Sequence, residues 1–157
     1  MVDKNLAVVN FLLGCPIIEE NPLFFNFADE AAGNNHIITE KDTTIRHYID
    51  GSKLKQYTFS IATYVAVSHN AIISGEDISD ENIENMAKVQ AILDWIDKKA
   101  DEEVYPDFGS DCIVDEMETL STDPDIDGID TSVNPPIARY SVGVRLKYLD
   151  NSKKIWN

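Results

Sequence analysis

Two stretches of this chain alternate with a period of two, and they limit the possible folds more than any other feature. From Tyr57 the odd positions read Tyr57, Phe59, Ile61, Thr63, Val65 and Val67, while the even ones read Gln56, Thr58, Ser60, Ala62, Tyr64 and Ala66. Near the C-terminus Ala138, Tyr140, Val142, Val144, Leu146 and Tyr148 share one side, with Arg139, Ser141, Gly143, Arg145 and Lys147 on the other. Successive side chains of a strand point to opposite faces, so each stretch presents one face to a core and one to a wetter surface. The fold must therefore contain a sheet with one covered face.

The cover is predicted to be helical. Ser79 is a good N-cap, and Asp80 and Glu81 complement the positive end of a helix dipole. Ile83, Met86, Val89, Leu93, Ile96 and Ala100 then recur every three to four residues. Glu84 with Lys88 and Asp94 with Lys98 form i,i+4 pairs on the other side. A first helix runs from a cap at Asp3 to a stop at Gly14 and Pro16. Shorter strands are expected at Leu23–Phe27, at Ile37–Glu40 and Thr44–Ile49 as a hairpin, and at Cys112–Leu120. Asp50-Gly51 is a turn signal. These elements alternate too irregularly for a parallel βαβ sheet. The expected class is α+β: a mainly antiparallel sheet packed against two helices, an N-terminal one and a long central one. No linker or repeat divides the 157 residues, so they read as a single domain with a short tail at 150–157.

The composition is globular, with 43 % apolar and 26 % charged residues, so wholesale disorder is excluded. The charge is lopsided: 28 acids face 13 bases, a formal −15. That balance argues against holding nucleic acid through phosphate neutralisation. Two cysteines far apart, Cys15 and Cys112, fit a reducing compartment. No apolar run approaches the ~18 residues of a membrane span. Leu12-Leu13-Gly14-Cys15 has the form of a lipoprotein cleavage box. However, Asp3 cancels Lys4 and Asn10 interrupts the apolar stretch, which favours an amphipathic helix over a signal peptide.

Motifs of chemistry are sparse. His36, His47 and His69 are isolated, whereas zinc needs three or four convergent ligands. There is no phosphate loop, nucleophile elbow or dinucleotide fingerprint. A Cys112–His pair is supported by nothing local. Asp123, Asp125 and Asp127 before Gly128 open like an EF-hand calcium loop, but the twelfth position is Asn134 and Pro135-Pro136 follows. No catalytic residue, cofactor or metal ligand is assigned, and the chain is not expected to be an enzyme.

Charge is segregated along the chain. Positions 76–130 carry 19 acids and 3 bases, a net of −16, whereas 139–157 carry 5 bases and 1 acid, a net of +4. A bipolar molecule of this kind can associate head to tail, although an acidic surface also serves solubility. Trp95 lies about opposite Leu93 on the helix, among charged residues. It is either laid over lysine stems or an interface anchor. Ile155 and Trp156 end a polar tail, where apolar side chains belong only if the tail docks.

Four stretches together resemble the tail-terminator, or tail-completion, proteins of long-tailed phages and phage-tail-like bacteriocins of Gram-positive bacteria, clostridial ones especially. They are KNLAVVNFLLGCPIIEENPLFFNFA, YIDGSKLKQYTFSI, AILDWIDKKADEEVYPDFG and NPPIARYSVGVRLKYLDNSKKIWN. They cover about half the chain and rest on order and spacing, with no catalytic motif beneath them. The resemblance implies a structural protein that forms a hexameric ring on the head-proximal end of a tail tube. Such a ring stops the polymerisation of tube and sheath and offers a surface to the head connector or collar. It implies a homo-hexamer in contact with tube protein, and with sheath and connector in some particles, located in a virion or tail-like particle assembled in the bacterial cytoplasm. DNA would pass through without specific binding. Under it, Trp95, Lys53, Lys55, Arg139, Arg145, Lys147, Lys153, Lys154, Ile155 and Trp156 are candidate subunit contacts. Asp101, Glu102, Glu103, Asp115, Glu116, Glu118, Asp123, Asp125 and Asp127 are a candidate acidic flank or channel lining. The alternatives are a head-tail joining or stopper protein and, from another class, a calcium-binding surface module built on the Asp123–Asp130 loop.

Overall fold

The computed structural model describes residues 3–19, 23–26, 33–67 and 81–155. In chain order these form α1 (Lys4–Leu12), α2 (Pro16–Glu19), β1 (Leu23–Phe25), β2 (Asn35–His47), β3 (Lys53–Ala66), α3 (Glu81–Asp101), β4 (Cys112–Thr119), β5 (Asp125–Asp130) and β6 (Ile137–Asp150). The strands make one six-stranded sheet in the order β1-β2-β3-β6-β4, with β5 also paired to β6. β1 runs parallel to β2, and every other pairing is antiparallel.

The two alternating stretches are the centre of this sheet. β3 and β6 pair without interruption from Lys53↔Asp150 to Ala66↔Ile137. Phe59 and Val144 therefore share a face with Ile61 and Val142, and all four are buried. Val8 and Leu12 of α1 and Val89, Ile92, Leu93 and Ile96 of α3 complete the same core. Phe108 sits between Tyr57 and Tyr148, with ring centroids 5.9 and 5.1 Å away. α1 begins where expected, since the Asp3 carboxylate accepts from the N–H groups of Asn5 and Leu6. The proposed cap at Ser79 lies outside the described residues.

The expected α+β class with a mainly antiparallel sheet on two helices is corrected. Among the described residues the structure is largely β, a mixed six-stranded sheet with three helices. Two local causes account for it. The expected hairpin over 37–49 is a single strand, because bulges at Glu40 and Ile45 let β2 follow β3 along its whole length. The acidic segment expected to be a loop pairs with β6 as β5. A third bulge, at Asp115, explains the confused pattern of β4. It turns Glu116 and Glu118 to the outer face while Val114 and Met117 stay over the core.

Gly51 closes the β2–β3 turn at φ +89°, a backbone region that disfavours a side chain. A Cβ there would also lie 2.2 Å from the Lys153 carbonyl oxygen. The C-terminal tail thus lies directly on this turn. The Ile155 N–H donates to the Asp50 carbonyl at 2.6 Å, and Lys154 approaches the Asp50 carboxylate at 4.0 Å.

Candidate functional site

A groove of about 690 Å³ opens between α1, α3 and the segment after α3. Its walls are mostly apolar, and Leu6, Phe11, Trp95, Val104 and Tyr105 are prominent among them. Local sequence builds it. Gly14 after α1 lies beside Trp95, where an added Cβ would meet the indole at 3.9 Å, an ordinary contact, and the Phe11 carbonyl oxygen more closely at 3.3 Å. Trp95 packs against Phe11 with centroids 5.0 Å apart, and the Lys99 ammonium lies 5.7 Å from its ring centre. Lys99 covers one part of the Trp95 ring while another part faces the groove.

The end of α3 sets the opposite wall. The Val104 N–H donates to the Lys99 carbonyl at 2.8 Å and the Glu103 N–H to Ala100 at 3.1 Å, the paired bonds of a Schellman cap. Its left-handed position, usually a glycine, is Glu103 at φ 58°. The cap turns the chain so that Val104 lands in the groove, 44 % exposed, opposite Leu6 at 56 %. Acids border it: Asp3 and Asp107 line the groove, and exposed Asp101, Glu102 and Glu103 stand beside Val104. Glu102 is held by Lys98 at 3.9 Å and Lys99 at 3.7 Å.

The basic residues of β6 do share one face, but each meets an acid of the same chain. Arg145 pairs with Glu118, Lys147 with Glu116 at 3.6 Å, and Arg139 with Asp127 at 3.4 Å. The antiparallel register brings these acids and bases together within one molecule. Lys55 pairs with Asp150 at 3.8 Å, and Lys53 lies opposite Asp150 across β3 and β6. Hydrogen bonds from Ser152, with Lys55 and Lys4 nearby, hold the Asp150 carboxyl below its usual range against the opposing effect of burial.

The β2–β3 turn is a second exposed apolar feature. Ile49 is 89 % exposed, and Ile155 of the docked tail is 69 % exposed. Arg46 and Lys153 flank them, both exposed and both without an ion pair among the described residues. Trp156 lies outside the described residues.

Asp125–Asp130 is extended and paired with β6, with Asp127 bulged out toward Arg139, so it does not wrap as an EF-hand loop would. Asp123 and Asp125 are exposed, and Asp115 is the bulged residue of β4. Among the described residues, no group of three or more His, Cys, Asp or Glu is placed to hold a metal ion. No described helix is long and apolar enough to cross a membrane. Burial pushes the thiols of Cys15 and Cys112 up, so neither is poised as a thiolate. His36 is buried against Tyr64, with centroids 5.5 Å apart, and burial together with Arg139 lowers its pKa. His69 lies outside the described residues.

Sequence reasoning missed the groove because Leu6, Trp95 and Val104 are distant in the chain. Its one local signal was Trp95, out of register with the apolar stripe of its helix. No protein-family model matches this chain, and the search of curated proteins finds no match.

Proposed function

We propose that this chain is a structural ring component of a phage tail or phage-tail-like particle, a tail terminator that assembles as a hexamer on the head-proximal end of the tube. The observation that carries this reading is the open apolar groove at Trp95. It lies on two of the stretches that carry the resemblance, and exposed apolar surface of this kind is typical of protein contacts. The exposed Ile49 and Ile155 belong to the other two stretches. A ring of such subunits would stop tube and sheath growth by covering the last subunits and would offer its far side to a head connector.

The charge distribution supports the same reading with one refinement. Glu116, Glu118 and Asp127 are neutralised within the chain and Glu102 is held by Lys98 and Lys99, which leaves Asp115, Asp123 and Asp125 to line a channel, with Asp101 and Glu103 at the border of the groove. Such a lining repels phosphates and lets DNA slide. Disabling the gene in the producing bacterium or phage tests the role directly. Tubes of uncontrolled length are expected in place of tails of one length. Tails of normal length and normal completion would contradict the proposal.

A further inference from the structure

We infer that the β2–β3 turn of one copy seats in the Trp95 groove of the next, so that copies join head to tail. This rests on the ring reading above and names the contact that would build it. The two features match in polarity and in charge. The turn offers a narrow apolar knob, Ile49 with Ile155 beside it. The groove offers an apolar slot lined by Leu6, Phe11, Trp95, Val104 and Tyr105. Arg46 and Lys153, without an ion pair among the described residues, flank the knob; exposed Asp3, Asp101, Glu103 and Asp107 border the slot, whose lining Lys99 is paired with Glu102.

The remaining charges of the molecule favour this pairing over the alternative first suggested by sequence. The bases of β6 are occupied by Glu116, Glu118 and Asp127, so the β6 face has little net charge to offer a neighbour. The cations at the turn remain available. The knob is also firmly held: Gly51 lies against the Lys153 carbonyl, and the Ile155 N–H is bonded to Asp50. A preorganised knob loses little conformational freedom on binding. The contact joins two different patches, so it is heterologous, and it closes a ring only if the rotation it imposes closes.

The test uses the full chain and two single variants, Ile49→Asp on the knob and Val104→Asp in the slot, with circular dichroism checking that both fold. Sedimentation is measured up to millimolar concentration. The wild type is expected to associate, and each variant to weaken association by about thirtyfold or more. Mixing the two variants should restore pairs but nothing larger, because one intact knob then meets one intact slot. Two outcomes would overturn the inference: a wild type that stays monomeric, or folded variants that associate as well as the wild type. In the second case the gene-disruption result would still stand for the ring reading, with a different contact between subunits. Overlong tails together with unaffected association would therefore separate the two failures.

Discussion

Single residues carry the pH dependence. His36 is buried with its Nδ1 unpartnered among the described residues, and burial and Arg139 both favour its neutral form. A base with a lowered folded pKa contributes stability that is present above its unfolded value of about 6.5 and is lost as pH falls toward the folded value. The melting temperature should therefore drop as pH falls below about 6.5. His36→Gln should remove that slope, and an unchanged slope in the variant would assign it elsewhere. At the alkaline end Tyr57 acts with the opposite sign. Burial, then Asp42 and Asp3, push it up to about 12. Its contribution is complete below its ordinary value near 10 and is lost as pH rises from there toward 12. Tyr148 is also raised, by burial and by donating to Asp42 at 2.6 Å.

At the scale of elements, the chain ends its helix and turns its hairpin with opposite economy. The Schellman cap of α3 places Glu103 where glycine is preferred, so Glu103→Gly should stabilise the protein by about 1 kcal/mol in urea denaturation. Gly51→Ala should do the reverse, by about 1–3 kcal/mol, since it adds both backbone strain and a collision with the Lys153 carbonyl. Amide exchange at Ile155 should accelerate in that variant as the tail is displaced. A Gly51→Ala protein as stable as wild type would show that the tail does not lie on the turn. The same scale explains what sequence could reveal. β3 and β6 were legible because an uninterrupted alternation allows only one register. β2 and β4 were harder because one extra residue at Glu40, Ile45 or Asp115 reverses the faces that follow it. β5 was not legible at all. Its acids read as a loop, and only the partnership of Asp127 with Arg139 shows why they tolerate a strand.

For the whole molecule, net charge gave the sign of the surface but not its partners. The acidic and basic segments are real features of the sequence, yet the fold brings most of the opposite charges of β4, β5 and β6 together inside one chain. These pairs are about one-third to one-half exposed, so they set register more than they add stability, each contributing about 0–1 kcal/mol. High salt should accordingly change the melting temperature little while weakening association through the remaining charges at knob and slot. Trp95 was visible in the sequence as an apolar residue on the wrong side of its helix. Its groove was not, since that depends on the cap at Glu103 and on the Phe11–Trp95 contact between two helices. The central claim is a ring of this chain at the head-proximal end of a tube. Electron microscopy of purified tail particles tests it most directly. We expect sixfold density of this chain capping the tube opposite the baseplate, with the Ile49 turn of each subunit in the Trp95 groove of its neighbour. Particles that lack the chain, or that carry it elsewhere, would contradict the account.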